Sequence, residues 1–323
     1  MKQFIIGVKL LIIIAIFSTA FMLAGVSDFF DWISLLFVLG ITFFLTISGF
    51  GISGIAVSCK VLFSVDPEPD TVGRAKEFWL SLIRNFLAAG ILGTLIGFIL
   101  LLANMDDPKR VDQYISISYL TVLYGFIFVV IFPLPAYFRV SDHRNENPPG
   151  SVSDAKASSG TGFTFPGSIG LIGQLGLLAV LFLGAGFPET DLTIFFNLPS
   201  LLVILGGGLA FFLFVSGGRR DQGGYLTMGL ALSGLIGAIA GILQFFKYSS
   251  QLSKIGPPAA LAMLSMLYAL IGMVLIAFPF SDRFRSRLQG GGQSTVVRFF
   301  EIGFPLLALI FSTIILLMIL SKF

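Results

Sequence analysis

Charge, cysteine and histidine are scarce in this chain, and each scarcity removes a class of function. A single Cys, Cys59, excludes a disulfide framework and any cysteine-built metal cluster. A single His, His143, excludes a histidine-based metal site. Charged residues make up 11% of the 323 positions, against about 25% in a typical soluble domain. Hydrophobic residues make up 56%, more than one water-facing fold can bury, so the excess faces something other than water. A soluble enzyme, a disordered chain and a nucleic-acid binder are excluded on this ground. The net charge of +3 is small and is spread along the chain rather than gathered into a phosphate-binding patch. No nucleophile–base pair or metal set can be assembled from one His, one Cys and no buried acid, so the chain reads as non-enzymatic, with no metal and no cofactor.

What is present is a series of apolar runs. The charges leave nine charge-free windows: 10–27, 32–59, 85–105, 113–138, 157–188, 192–218, 222–246, 255–281 and 302–321. A bilayer core of about 30 Å needs about 20 apolar residues in a helix, and each window holds one. The runs are continuous rather than alternating, which disfavours a β-barrel. The predicted spans are 5–25, 32–51, 79–103, 116–138, 168–187, 199–216, 225–246, 258–280 and 300–321. With the N-terminus cytoplasmic, 15 Lys and Arg fall inside and 5 outside, so the positive-inside rule selects this orientation and puts the C-terminus outside. Segment 1–25 reads as a retained span rather than a cleaved signal peptide, because the repeat described next gives it a retained counterpart. Residues 141–167, with Asn147-Pro148-Pro149-Gly150 and a Ser/Gly/Ala run, have the composition of a cytoplasmic linker. Gly290-Gly291-Gly292 reads as a second linker before the last span.

The chain repeats itself. Phe29-Phe30-Asp31-Trp32-Ile33-Ser34-Leu35-Leu36-Phe37-Val38-Leu39-Gly40 aligns without a gap on Phe195-Phe196-Asn197-Leu198-Pro199-Ser200-Leu201-Leu202-Val203-Ile204-Leu205-Gly206, 166 residues later. Gly90, Gly93 and Gly97 align with Gly234, Gly237 and Gly241, 144 residues later. Leu123-Tyr124 and Pro135 align with Leu267-Tyr268 and Pro279 at that same 144. The change of offset is a 22-residue excess in the first copy, expected as loop near 53–78. The expected architecture is an all-α polytopic membrane protein of nine spans. A first four-helix unit covers 1–140, a linker 141–167, a second unit 168–288, and a linker with a ninth span 289–323. Four spans return the chain to its starting side, so the two units are parallel.

Several residues are candidates for more than bulk packing. Gly90, Gly93 and Gly97, and their counterparts Gly234, Gly237 and Gly241, form small faces on which another helix backbone can approach closely. Thr94, Ser118, Thr121 and Tyr124 in the first copy, and Ser265 and Tyr268 in the second, place hydroxyls at depth. Hydroxyls there line an ion path or bond back to their own helix. Pro135 and Pro279 bend or end their helices near the cytoplasmic side, as a stop or a hinge. Glu301 stands at the start of the ninth span, and Arg298, three residues earlier, is spaced to pair with it on one helix face.

On these motifs the chain resembles the MotA/TolQ/ExbB family of ion-channel subunits, and its second copy resembles the flagellar stator A subunit. Phe195 to Gly207 is similar to the segment leading into that family's second helix. Gly90-Ile91-Leu92-Gly93-Thr94-Leu95-Ile96-Gly97 is similar to the motif of its third helix, and Gly256-Pro257-Pro258-Ala259-Ala260 through Tyr268 to Pro279 to its fourth. The resemblance covers nearly all of 1–288. It implies a homo-oligomeric ring in the bacterial inner membrane around a single-span ExbD/TolR/MotB-like partner whose membrane Asp binds the proton or sodium ion. It also implies that Thr94 and Thr121 stand at polar channel positions, with Ala238 and Ser265 in their places in the second copy. The links between second and third spans are short, so no rotor-engaging domain is expected. The ninth span enters from the cytoplasm with Glu301 at its start, as a built-in partner helix would. The expected function is an ion-conducting subunit of an ion-motive-force-driven membrane complex. The alternatives are a non-conducting scaffold and a small-solute transporter built on the same repeats.

Overall fold

The computed structural model describes residues 31–64, 67–104, 108–146, 168–185, 192–215, 222–247, 256–279, 281–282 and 295–320. The predicted span 5–25, most of the 141–167 linker and Gly290-Gly291-Gly292 lie outside the described residues. Nine α-helices carry the described chain: α1 (Trp32–Phe63), α2 (Pro69–Ala103), α3 (Pro108–Ile131), α4 (Pro133–Glu146), α5 (Ser168–Ala185), α6 (Leu198–Val215), α7 (Gln222–Lys247), α8 (Gly256–Gly272) and α9 (Thr295–Leu320). A short 3₁₀ turn, Leu192–Phe195, leads into α6. Among the described residues six helices are long and apolar enough to cross a membrane, and two shorter apolar stretches, Ile172–Leu181 and Leu198–Gly208, accompany them. The fold is that of an all-α membrane protein.

Local sequence sets the boundaries. Asp31 starts α1, its carboxylate accepting from the backbone N–H of Ser34 at 3.0 Å and of Ile33 at 3.3 Å. Asn197 starts α6 in the same way, its side-chain oxygen accepting from Ser200 N–H at 3.0 Å. Pro69 opens α2, where its missing N–H costs nothing. Gly51 (φ 67°, ψ 175°) kinks α1 in a backbone region open almost only to glycine. The expected loop near 53–78 is therefore largely helix. Residues 52–63 contain no proline and only one glycine, Gly54, so the chain stays helical after the kink. Helix resumes at Pro69, ten residues before the predicted start at 79.

The predicted span 116–138 lies within one candidate span, 113–141, in which a single turn residue, Phe132, separates α3 from α4, because Pro133 has no N–H and disfavours helix at the residue before it. The break therefore falls ahead of Pro135, the residue expected to make it. On α8 the proline effect is visible as a π turn over Met273–Ala277, just before Pro279. Pro279 has no N–H to offer the carbonyl of Leu275, four residues back. Gln174 of α5 donates to that oxygen instead, at 3.4 Å.

α2 is the central element, packed against α1, α3, α4, α8 and α9. In the second half α7 has the corresponding place, packed against α6, α8 and α9. α9 thus touches the glycine-bearing helix of both halves, and α5 lies along α1. Large apolar side chains such as Phe43, Leu202, Ile236 and Leu317 point outward, as a lipid-facing surface requires.

Candidate functional site

The three glycines of α2 bring α3 against it. A Cβ on Gly90 would lie 2.9 Å from the Thr121 carbonyl oxygen, and one on Gly93 would lie 2.8 Å from Thr121 Cγ2. One on Gly97 would collide with Ser118 Oγ. The glycine face of α7 meets α8 at the same register. Gly234 faces Ala269 with 2.6 Å to its Cβ, Gly237 faces Ser265, and Gly241 faces Ala262 with 2.6 Å to its backbone nitrogen. Without glycine at these positions neither helix pair can close.

The close approach at α2–α3 buries a hydroxyl cluster. Thr94, Ser118 and Thr121 are each 98% or more buried. Thr94 Oγ1 lies 2.7 Å from the Ser118 carbonyl, 3.0 Å from the Gly90 carbonyl and 3.2 Å from Thr121 Oγ1. Thr121 Oγ1 donates to the Ser118 carbonyl at 2.9 Å, and Ser118 Oγ to the Tyr114 carbonyl at 2.6 Å. Each hydroxyl proton has a carbonyl acceptor, which leaves the hydroxyl oxygens with lone pairs to offer an ion. Thr94 lies ten residues from both Arg84 and Asn104, about 15 Å of helix in each direction, so the cluster sits halfway along the span. In the second half the counterpart is thinner. Ala238 replaces Thr94, and Ser265 Oγ donates to the Leu261 carbonyl at 2.6 Å.

Tyr124 and Tyr268 do not join the hydroxyl clusters. Tyr124 OH accepts from the backbone N–H of Asp31 at 2.9 Å, and Tyr268 OH accepts from that of Asn197 at 2.8 Å. Tyr268 also donates to the Phe195 carbonyl. Tyr124 therefore ties α3 to the start of α1, and Tyr268 ties α8 to the start of α6.

A second polar cluster was not legible as a site. Arg84 of α2, 99% buried, reaches Asp282 Oδ2 at 2.6 Å and Glu301 Oε2 at 3.3 Å. Asn85 Oδ1 accepts from its Nε and NH2, and the Phe278 ring lies beneath the guanidinium with its centroid at 4.0 Å. Ser81 Oγ donates to Asp282 Oδ1 at 2.8 Å, and Ser281 Oγ to Glu301 Oε1 at 3.3 Å. Gly49 of α1 leaves room for Asp282, since a Cβ there would lie 2.9 Å from Asp282 Cβ. The expected pairing of Glu301 with Arg298 is not the one formed. Arg298 instead binds Glu77 Oε1 at 2.7 Å. The reason is tertiary: α9 packs on α2, and two cross-helix pairs, Glu77–Arg298 and Arg84–Glu301, replace the pair within α9. The available signal was Arg84, a cation inside the predicted span 79–103. Among the described residues no group of side chains is arranged to hold a metal ion.

No family model matches the chain, and no solved structure matches it. Short stretches are similar to known motility proteins. The chain is 45% identical over 49 residues to the chemotaxis protein PomA of Vibrio alginolyticus, covering 15% of this chain and 19% of that protein. It is 39% identical over 57 residues to motility protein A of Aquifex aeolicus, covering 18% and 22%. It is 50% identical over 38 residues to motility protein A of Cereibacter sphaeroides, covering 12% and 15%. The chain spans about a fifth of the length of these curated relatives.

Proposed function

We propose that this chain is an ion-conducting subunit, for protons or sodium ions, of an ion-motive-force-driven complex in the bacterial inner membrane. Its partner is a single-span protein of the ExbD/TolR/MotB kind whose membrane Asp carries the ion. The observation that carries this reading is the Thr94–Ser118–Thr121 cluster, buried halfway along α2 behind a glycine seam. It offers ion-binding oxygens but no titratable group of its own, and in this reading the acid comes from the partner. The similarity to PomA and to two motility A proteins supports the same reading. The chain is then non-enzymatic, multi-pass, with its N-terminus cytoplasmic.

The reading includes a tandem duplication of a four-helix unit. It rests on contacts that recur at the two repeat offsets, 144 and 166: Gly93 on Thr121 and Gly237 on Ser265, Gly90 on Gly125 and Gly234 on Ala269, and Tyr124 on Asp31 and Tyr268 on Asn197. α9 is the added element. The Arg84–Asp282–Glu301 cluster holds it to both units at the cytoplasmic end, about ten residues of α2 away from Thr94. Glu301 is thus an anchoring acid in this reading, rather than the acid of a built-in partner helix.

Purification of the tagged chain from its native membrane tests the partner. A single-span protein with a membrane Asp is expected to co-purify, and its consistent absence refutes the reading. One observation favours a scaffold that does not conduct. Every hydroxyl in the cluster already has a backbone acceptor, and the second unit has lost its Thr at Ala238. In that case alanine at Thr94 or Thr121 leaves ion flux unchanged.

A further inference from the structure

The first helix of the second unit docks mainly on the unit before it, touching its own chiefly through Gln174 at the Leu275 carbonyl. α5 packs along α1, and the described residues show no comparable packing of α5 on α6. The contact is tight and made by small residues. A Cβ on Gly173 of α5 would lie 2.9 Å from the Phe44 carbonyl oxygen and 3.0 Å from Ser48 N. One on Gly176 would collide with the Phe44 ring, and one on Gly40 of α1 would lie 3.1 Å from Val180 Cγ2. Leu177, between them on α5, is fully buried.

The counterpart of Gly40, 166 residues on, is Gly206 of α6. It ends up in a different place. A Cβ there meets nothing within 4 Å, while the next two glycines, Gly207 and Gly208, are pressed on Ser233 and Leu230 of α7. Gly206 is exposed, between Leu202 and Leu205 at 61% and 50% exposure. A glycine inside a helix weakens it by about 1 kcal/mol relative to alanine. Nothing among the described residues requires it at 206. A small residue on a lipid-facing helix serves close approach by another helix. The internal precedent says which kind of helix: the first span of a unit. In sequence that span is also matched at 166. Gly7, Leu11 and Ile14 stand where Gly173, Leu177 and Val180 stand in α5. Lys9 stands at the position of Leu175, which is 57% exposed and turned away from the contact.

We propose that the Gly206 face of α6 is covered by the first span of a second copy of this chain, around Gly7–Ile14, repeating between chains the packing that α5 makes on α1 within one. The contact is head-to-tail, so it continues from copy to copy until it closes in a ring. The proposal rests on the duplication and names the interface by which the subunit assembles.

Disulfide trapping tests it. In a Cys59→Ser background, two differently tagged chains are co-expressed in the membrane, one with Ile14→Cys and one with Gly206→Cys. The expected product under mild oxidation is a two-chain species carrying both tags. A separate chain with Gly40→Cys and Val180→Cys reports the packing within one chain and is expected to close without a change in chain number. If that control closes and no two-tag species forms, the proposed interface is overturned while the duplication stands. If the control stays open, the packing on which both readings rest is wrong. Gly206→Trp supplies a second readout, since the open space admits the ring in a single chain. The detergent-extracted assembly is expected to fall to single chains by native mass measurement. A wild-type protein that is already a single chain, or a Gly206→Trp assembly of unchanged mass, overturns the proposal.

Discussion

Replacing Arg84 with Met keeps the apolar stem of the side chain while removing the guanidinium that reaches both Asp282 and Glu301 and lies over the Phe278 ring. Both carboxylates are about 97% or more buried, so little water replaces the guanidinium. Breaking a buried ion pair by removing one partner costs about 3–5 kcal/mol. At 1.4 kcal/mol per tenfold, that is roughly two to three and a half orders of magnitude in the folded-to-unfolded ratio. Reversible unfolding in mixed micelles, followed by the loss of protease resistance at the chain entering α9, measures it. The triple variant Arg84→Met, Asp282→Asn, Glu301→Gln carries none of these three charges and is expected to recover most of the loss, because neutral replacement of a buried ion cluster is often tolerated. An Arg84→Met protein within about 1 kcal/mol of wild type, or a triple variant no more stable than the single one, refutes the claim that this cluster clamps the ninth helix.

Tyr124→Phe and Tyr268→Phe each remove a hydroxyl bonded to the start of a helix, Tyr268 through two bonds, and each is expected to cost about 1 kcal/mol per bond lost. Losses from both in thermal unfolding support equivalent roles in the two units, whereas a loss in only one contradicts them. Gly97→Ala drives a methyl into Ser118 Oγ and is expected to destabilise by about 1–3 kcal/mol. Ser118→Ala on the same chain should return part of that in a double-mutant cycle, and additive losses would show that the two do not touch. Gly51→Ala is expected to cost about 1–3 kcal/mol in unfolding, since alanine does not adopt φ 67°, ψ 175° without strain. An unchanged midpoint would mean that the kink is not imposed by the fold.

Most of the architecture was legible because bilayer physics is blunt. Helix bounds at 198–215, 222–247 and 295–320 fall within a few residues of what charge-free windows and helix rise require. The hydroxyl cluster was legible in part: glycines three and four apart on α2 imply a close neighbour, and the matching offsets in α7 imply the same neighbour twice. The continuation of α1 beyond Gly51 was missed because low charge, rather than helix propensity, defined the spans. The tyrosine contacts were missed because a hydroxyl at depth looks alike whether it lines a path or caps a helix start. The Arg84 cluster was hidden for a different reason. Its three charges lie 198 and 217 residues apart in sequence, and each alone reads as an interfacial charge that fixes topology. Only packing of α2, the end of the second unit and α9 turns three boundary charges into one buried network.

Ion flux is the measurement that bears most directly on the proposed function. The chain, purified with its single-span partner and reconstituted in proteoliposomes, is expected to pass protons or sodium ions down an imposed gradient. Thr94→Ala and Thr121→Ala are each expected to lower that flux at an unchanged amount of folded protein. A wild-type complex that passes neither ion, or alanine variants with undiminished flux, would contradict the account and leave the repeats as a scaffold.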